Sequence, residues 1–293
     1  MKLKSILAGL LMALVFSSCG KKEESSSSAK VFRFTAIPDQ DSTKLKERFG
    51  KFAEYLSKEL NMKVEYVPVK DYSSSVLAFK NNDVQLAWFG GLSGVQARAS
   101  VEGSQAIAQG EKDPNFWTYF IAHSSTGLEK SEDFPAGIAG KTFTFGSKGS
   151  TSGRLMPEYF IRENMKKSPE EAFKKVGFSG DHSKTLALVQ DGAYEVGALN
   201  YKVWKAAVAE KKVDESKVKL IWSTPGYPDY NWSIRGDVDK QFGAGFLTKV
   251  QNAIINLNDE ALLKNFSRKK FIKADNSMYQ PIVDTGKKIG ILD

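Results

Sequence analysis

Apolar residues recur along the chain with two different periods. Val31 to Ile37 alternates, with Phe32, Phe34 and Ala36 on one face, and predicts a strand. After the loop Pro38–Asp41, the residues Leu45, Phe49, Phe52, Leu56 and Leu60 recur at steps of three or four. That spacing predicts one apolar helical face, with Ser42 or Thr43 as N-cap and Asn61 past the end. The same reading predicts strands over 63–69, 84–89, 104–109 and 117–122. Helices are predicted over 72–81 and from the pair Gly90-Gly91 through Ser100. A second block has strands at 141–146, 176–178, 195–199 and 218–223, with helices over 154–166, over 185–190 and up to 211. From about Phe242 the chain reads as helical, with Phe246, Val250, Ile254 and Leu257 on one face. No internal sequence repeat relates the two blocks. Strand–helix alternation predicts an α/β fold, with mostly parallel sheets covered by helices in two lobes of roughly 100 residues plus a helical tail.

The first thirty residues follow neither period. Met1 to Lys4 is basic, and Ser5 to Phe16 is apolar apart from Ser5 and Gly9. That run is shorter than the ~20 residues of a membrane span but suits the apolar region of a secretory leader. Phe16-Ser-Ser-Cys19-Gly20 then places small residues before a cysteine and resembles a bacterial lipoprotein signal, although Phe16 stands where Leu is usual. The resemblance implies cleavage after residue 18 and lipidation of Cys19; an ordinary leader with a buried cysteine is the alternative. Residues 19–30, with the polar run KKEESSSSAK, form a tether without residues to pack. The protein is thus expected on the extracytoplasmic side of a bacterial membrane.

Composition narrows the chemistry. The chain has 293 residues, 41% hydrophobic and 26% charged, which is ordinary for a globular protein. One cysteine and two histidines disfavour disulfides and Cys- or His-based metal sites, and nothing calls for a cofactor. The net charge of +8 falls to +6 when Lys2 and Lys4 leave with the leader, an excess consistent with an anionic partner. Export and the lack of a concentrated basic stripe argue against nucleic acid.

Ligands of open α/β sheets sit at the carboxyl ends of the strands. There the loop Ser147-Lys-Gly-Ser-Thr-Ser-Gly153 precedes a helix. Its glycines permit close backbone approach, Ser150, Thr151 and Ser152 offer hydroxyls, and the first helical turn offers free N–H groups to an anion. It lacks the Lys-Ser/Thr of a phosphate-binding Walker loop. A Ser/Thr helix cap in a Gly-rich turn is the plain alternative. Pro157 requires the helix to start near it or to kink. Tyr72 opens another helix, Trp88-Phe89-Gly90-Gly91 ends a strand and is equally suited to core packing, and Tyr227 and Tyr230 lie in the turn-rich Pro225–Tyr230.

Several motifs in order, KDYSSSVLAFKNNDVQLAWFGGLSGVQA, GSTSGRLMPEYF, SGDHSKTLALVQDG and EVGALNYKVW, resemble phosphonate-type substrate-binding proteins of ABC importers. Asp39, Val67–Tyr72 and Trp88–Ala97 resemble most the branch named as selenate binders. The resemblance implies the type II periplasmic binding protein fold, with lobe 1 at 31–120 plus 225–293, lobe 2 at 121–224, and crossovers near Tyr119–Ser124 and Ser223–Ser233. It implies a monomeric receptor that hands a small tetrahedral oxyanion to a membrane permease by lobe closure. Its ligand contacts fall on Tyr72, Ser150, Thr151, Ser152, His182 and the segment Asn200-Tyr201, with Phe89, Gly90 and Gly153 beside them; Phe89 stands where the family often has Tyr. Asn200 replaces a second-lobe carboxylate, Asp181 being the nearest candidate, which disfavours an aminophosphonate.

A cleft rich in donors and poor in carboxylates favours a fully ionised anion such as selenate; a phosphite or phosphonate that keeps a proton is the alternative. His182 serves either as donor or as acceptor. A serine hydrolase using Ser150 or Ser152 with His182 is disfavoured by the lack of a nucleophile elbow and of an acid for the histidine. A receptor that signals occupancy to a membrane kinase or chemoreceptor would use the same cleft.

Overall fold

The computed structural model describes residues 30–293; the leader, Cys19 and the tether up to residue 29 lie outside them. The chain forms β1 (Phe32–Ala36), α1 (Ser42–Leu60), β2 (Val64–Tyr66), α2 (Tyr72–Lys80), β3 (Leu86–Phe89), α3 (Gly91–Ala99) and β4 (Gln105–Gly110). It then crosses into β5 (Thr118–His123), β6 (Thr142–Phe145), α4 (Met156–Met165), α5 (Pro169–Ala172), β7 (Lys175–Phe178), α6 (His182–Gln190), β8 (Val196–Asn200), α7 (Tyr201–Ala209) and β9 (Val218–Ser223). The return gives β10 (Asn231–Ile234), α8 (Val238–Phe242), α9 (Phe246–Ile255), α10 (Glu260–Asn265), β11 (Phe271–Lys273) and α11 (Gln280–Lys288).

Two sheets result, in the strand orders β11-β4-β10-β3-β1-β2 and β7-β6-β8-β5-β9. Both are mixed. β1 runs parallel to β2 and β3, but β10 enters antiparallel to β3 and β4. In the second sheet β6 is parallel to β7 and β8, while β5 is antiparallel to β8 and β9. The antiparallel members flank the crossings, where a returning chain must reverse direction.

The period-four face of α1 lies on the first sheet. Phe34, Phe49 and Phe52 meet Trp232, Phe49 and Phe52 also meet Phe266, and Phe52 is stacked on Trp232 at 4.7 Å. Each buried aromatic contributes on the order of 1.5–3 kcal/mol by leaving water. Asp41, one residue before the expected cap, receives the N–H groups of Thr43 and Lys44, and Asn61 ends the helix in the left-handed region at φ 51°.

Three expectations need correction. Residues 119–124, expected as the first crossover, are mostly β5, buried between β8 and β9. Thr118 already pairs with Asn200, so the chain crosses earlier, over 111–117, and the return runs over 224–230. The crossings hold each other, since Phe116 and Tyr227 exchange N–H···O bonds of 2.8 Å each. Residues 231–234, placed within the second crossover, form β10, whose Trp232 and Ile234 face the core. The tail is not all helix, because β11 adds an edge strand to β4.

Candidate oxyanion cleft

Loops from both sheets and one crossover meet between the lobes. The first lobe supplies Asp39 after β1, Tyr72 at the start of α2 and Gly90-Gly91 after β3. The second supplies Ser150–Gly153 after β6, His182 at the start of α6 and Asn200 at the end of β8. The return crossing adds Tyr227, Asp229 and Tyr230. All of these except the two glycines at 90 and 91 and Gly153 have side chains in the buried set, with relative exposure at or below 5%.

The Ser150 loop has a specific local cause. Ser150 is extended, and its Oγ accepts the Gly153 N–H at 2.9 Å, capping the turn. Thr151–Leu155 then makes a wide π-helical turn, and α4 starts at Met156 with Pro157 in its first turn. Pro157 has no N–H to give, so the helix begins there rather than kinking. In this turn the Gly153 N–H is taken by Ser150 Oγ, the Leu155 N–H by the Ser150 carbonyl at 3.0 Å and the Met156 N–H by the Thr151 carbonyl. A Cβ on Gly153 would lie 3.0 Å from His182 Cε1 and 3.1 Å from Gly146 Cα, so only glycine lets the loop and the histidine approach this closely.

Hydrogen bonds cross the cleft. The Leu92 N–H donates to Thr151 Oγ1 at 2.9 Å, and the His182 N–H donates to the Asp39 carbonyl at 3.0 Å. Tyr230 OH donates to Asp39 Oδ2 at 2.6 Å and accepts from Asn200 Nδ2 at 2.9 Å. The Tyr230 ring is stacked on Trp88 at 5.3 Å and covered by the Arg268 guanidinium at 5.0 Å, which fixes the hydroxyl between the lobes. Burial pushes the phenols of Tyr72, Tyr227 and Tyr230 well above their ordinary range, so each stays a neutral hydroxyl.

His182 is the first residue of α6, behind the N-cap Asp181. Burial lowers its pKa, partly offset by Asp39 and Asp181. The Asn200 N–H points at Nδ1 from 3.3 Å. A backbone N–H only donates, so Nδ1 accepts and the neutral ring carries its proton on Nε2. Nε2 lies 3.5 Å from Ser152 Oγ. The ambiguity in the sequence resolves to a neutral histidine that donates from Nε2 beside the serine loop.

Asp229 supplies the opposite chemistry. Its Oδ1 accepts the Gly91 N–H at 2.9 Å, while Oδ2 is buried and has no partner. Burial drives its pKa up to about 7, while the Gly91 N–H and the neighbouring Thr151 and Ser152 hydroxyls pull it down without giving Oδ2 a partner. Asp39 Oδ1 is likewise buried and unpartnered. The cleft therefore holds two carboxylates, and the expectation of a carboxylate-poor cleft is corrected.

Tyr72, Gly90, Ser150, Thr151, Ser152, Gly153, His182 and Asn200 are brought together. Tyr72 reaches Ser150, and Gly90 sits where an added Cβ would be 3.0 Å from Asp229 Oδ1 and 3.1 Å from Thr151 Oγ1. Phe89 is a core residue, fully buried against Phe79 at 5.7 Å, with no side-chain donor to lose. Tyr201 turns away and stacks on Trp117 at 3.7 Å. Asp181 is a helix cap that receives the Lys184 N–H and pairs with its ammonium. Asp229 and Tyr230 were missed as site residues, although Pro225–Tyr230 stood out as a turn-rich stretch.

Residues 34–279 match the family model described as ABC transporter, phosphonate, periplasmic substrate-binding protein. The chain is 40% identical over 270 residues to a protein of Prochlorococcus marinus (strain MIT 9301) named a probable ABC transporter phosphite binding protein, PhnD1, covering 90% of this chain and 91% of that one. The solved structure of PhnD1 in complex with methylphosphonate superposes with a TM-score of 0.85 at 40% identity, over 89% of this chain and 98% of that one. A binding protein of an ABC phosphonate transporter from Pseudomonas aeruginosa shares the fold, with a TM-score of 0.77 at 22% identity over 88% of this chain and 85% of that one. Two α/β lobes with mixed sheets, joined by two crossings with a polar cleft between them, are the type II periplasmic binding protein fold, and the chain belongs to the phosphonate-binding family of periplasmic substrate-binding proteins of ABC transporters.

Proposed function

We propose that the cleft captures a tetrahedral oxyanion that retains one proton, a phosphite or a small alkylphosphonate, and delivers it to the permease of an ABC importer through lobe closure. One observation carries this reading: Asp229 Oδ2 is buried, unpartnered and set among donors. Thr151, Ser152, Tyr72 and His182 Nε2–H serve the ionised oxygens, and Asp229 accepts the ligand's O–H. Selenate and sulfate have no proton to give near neutral pH. They would leave the Asp229 carboxylate facing an anion unless Asp229 itself is protonated. The selenate reading rested on the resemblance of Asp39, Val67–Tyr72 and Trp88–Ala97 and on a cleft poor in carboxylates, and Asp229 and Asp39 reverse the second of these arguments. PhnD1, named for phosphite and solved with methylphosphonate, supports the same direction.

An aminophosphonate fits less well. Asp181 is committed to capping α6, and Asn200 is committed to Tyr230 and the Lys202 N–H, so the second lobe offers an ammonium no carboxylate in the cleft. Ser152 and His182 do not make a hydrolase either. The Nδ1 position that an orienting acid would need is taken by the Asn200 N–H. Upstream, Cys19 is proposed as the lipid attachment point, with residues 19–30 as the tether and the receptor acting as a monomer.

The pH profile of affinity tests this reading. Selenate binding should fall about tenfold per pH unit above pH 7, because Asp229 must take up the missing proton. Methylphosphonate should hold its affinity until its own last proton leaves. Selenate affinity that stays flat from pH 6 to 9 would refute the role of Asp229.

A further inference from the structure

A cationic pocket lies outside the cleft. It has a volume of about 700 Å³ and is walled by α7 of the second lobe, by the α10–β11 segment of the first, and by the crossing at 111–112. Six cations line it: Lys112, Lys202, Lys205, Lys264, Arg268 and Lys269. Glu111 and Glu260 are the acidic lining residues, and Asp113 lies beneath. Burial pushes the Lys202 ammonium down to about 7, so five full cations and a partly charged one stand against three carboxylates, and the surplus lies between two and three near neutral pH.

The cations are unevenly paired. Arg268 Nη2 meets Asp113 at 2.7 Å, and Lys202 Nζ stands 3.9 Å from the same carboxylate. Lys202 Nζ also donates to the Ser267 carbonyl at 2.9 Å, reaching from the second lobe into the first. Among the described residues, Lys112, Lys205, Lys264 and Lys269 form no ion pair with any carboxylate. Lys205 is held at the wall, its ammonium 5.6 Å and 5.3 Å from the ring centroids of the stacked pair Trp117 and Tyr201. Like charges gathered around a concavity repel one another, and a multiply charged anion relieves that repulsion. A volume of this size suits a small ligand rather than a macromolecular surface.

We propose that this pocket is a second anion site, for a soluble oligophosphate that bridges the two lobes and favours their closed arrangement. One phosphonate brings at most two negative charges on a single phosphorus centre, whereas neighbouring phosphates bring more charge and reach lysines on both walls. Because the occupant touches both lobes, its binding and that of the cleft ligand strengthen each other by the same factor.

The test is calorimetric titration of the full chain with inorganic tripolyphosphate at low salt, with saturating methylphosphonate to fill the cleft. One additional binding event is expected, weakened roughly tenfold or more by Lys205→Glu with Lys264→Glu, both exposed positions. Tripolyphosphate is also expected to raise methylphosphonate affinity, and the double variant to abolish that gain. No binding at millimolar tripolyphosphate, or binding that the double variant leaves unchanged, overturns the site. Binding at the pocket without any change in methylphosphonate affinity overturns the bridging. If methylphosphonate itself fails to bind, the tripolyphosphate titration of wild type against the double variant still reads the pocket alone.

Discussion

Replacing Asp229 with Asn exchanges an acceptor for a donor in nearly unchanged volume. The Asn carbonyl can keep the Gly91 N–H that Oδ1 accepts at 2.9 Å, which leaves the amide nitrogen in the place of the unpartnered Oδ2. A protonated phosphonate then loses a charge-assisted bond worth ~1.5–3 kcal/mol, roughly 10–150-fold in Kd. For selenate the change runs the other way. In the wild type at pH 8 its binding requires protonating a carboxyl whose pKa is about 7, at ~1.4 kcal/mol per pH unit. The amide removes that cost and adds a donor, so selenate affinity should rise about tenfold or more at pH 8. Calorimetric titration of methylphosphonate at pH 6.5 and of selenate at pH 8 into wild type and Asp229→Asn reads the two changes. Methylphosphonate affinity within twofold of wild type, or selenate affinity that falls, would refute the assignment of Asp229 as the acceptor.

Other outcomes follow from single contacts. The raised pKa of Asp229 means that the folded state resists its ionisation, so its stabilising share is complete below the unfolded value of 3.8 and is lost as pH rises to about 7. Asp229→Asn should therefore gain thermal stability over wild type across about pH 4 to 7 and hold a constant advantage above; an advantage that shrinks with rising pH would contradict the sign. Thr151→Val removes the acceptor of the Leu92 N–H and should weaken ligand binding by about 1–3 kcal/mol and shift the scattering profile toward an open form; an unchanged profile and affinity would count against this contact. Tyr230→Phe strips Asp39 of its phenol donor and should lower unfolding free energy by about 1.5–3 kcal/mol in urea, and no loss would show that Asp39 finds other partners. Cys19→Ser should release the protein from membranes into the soluble fraction, and continued membrane association would remove the anchor.

Much of the cleft was legible in the sequence because its loops obey a local rule. Strand ends, glycines and small hydroxyl residues stand next to one another in Ser147–Gly153, and the helix that follows needs a cap there. His182 entered through the ordered motifs rather than through its own spacing. Asp229 and Tyr230 carry no such mark. Their partners Gly91 and Asp39 lie 138 and 191 residues away in sequence, and a turn-rich crossing has no period to read. Tyr201 was misplaced by adjacency. Asn200 ends β8 as the non-helical N-cap and Tyr201 opens α7, so the chain turns between them and Asn200 faces Tyr230 while Tyr201 stacks on Trp117. β11 spans three residues, too short for alternation to separate it from the helices around it. The sheets are mixed because β10 returns from the other lobe, a consequence of chain path that strand–helix order does not encode.

The central claim is that a buried carboxyl selects an oxyanion carrying a proton. Calorimetric titration of the wild-type protein at pH 7.5 with phosphite, methylphosphonate, selenate and sulfate tests it most directly. Methylphosphonate, which is still partly protonated at this pH, is expected to bind at least about threefold tighter than either fully ionised anion, the cost of protonating a carboxyl whose pKa is about 7 at half a unit above it. Selenate or sulfate binding as tightly as methylphosphonate, or no binding by any of the four, would contradict the account.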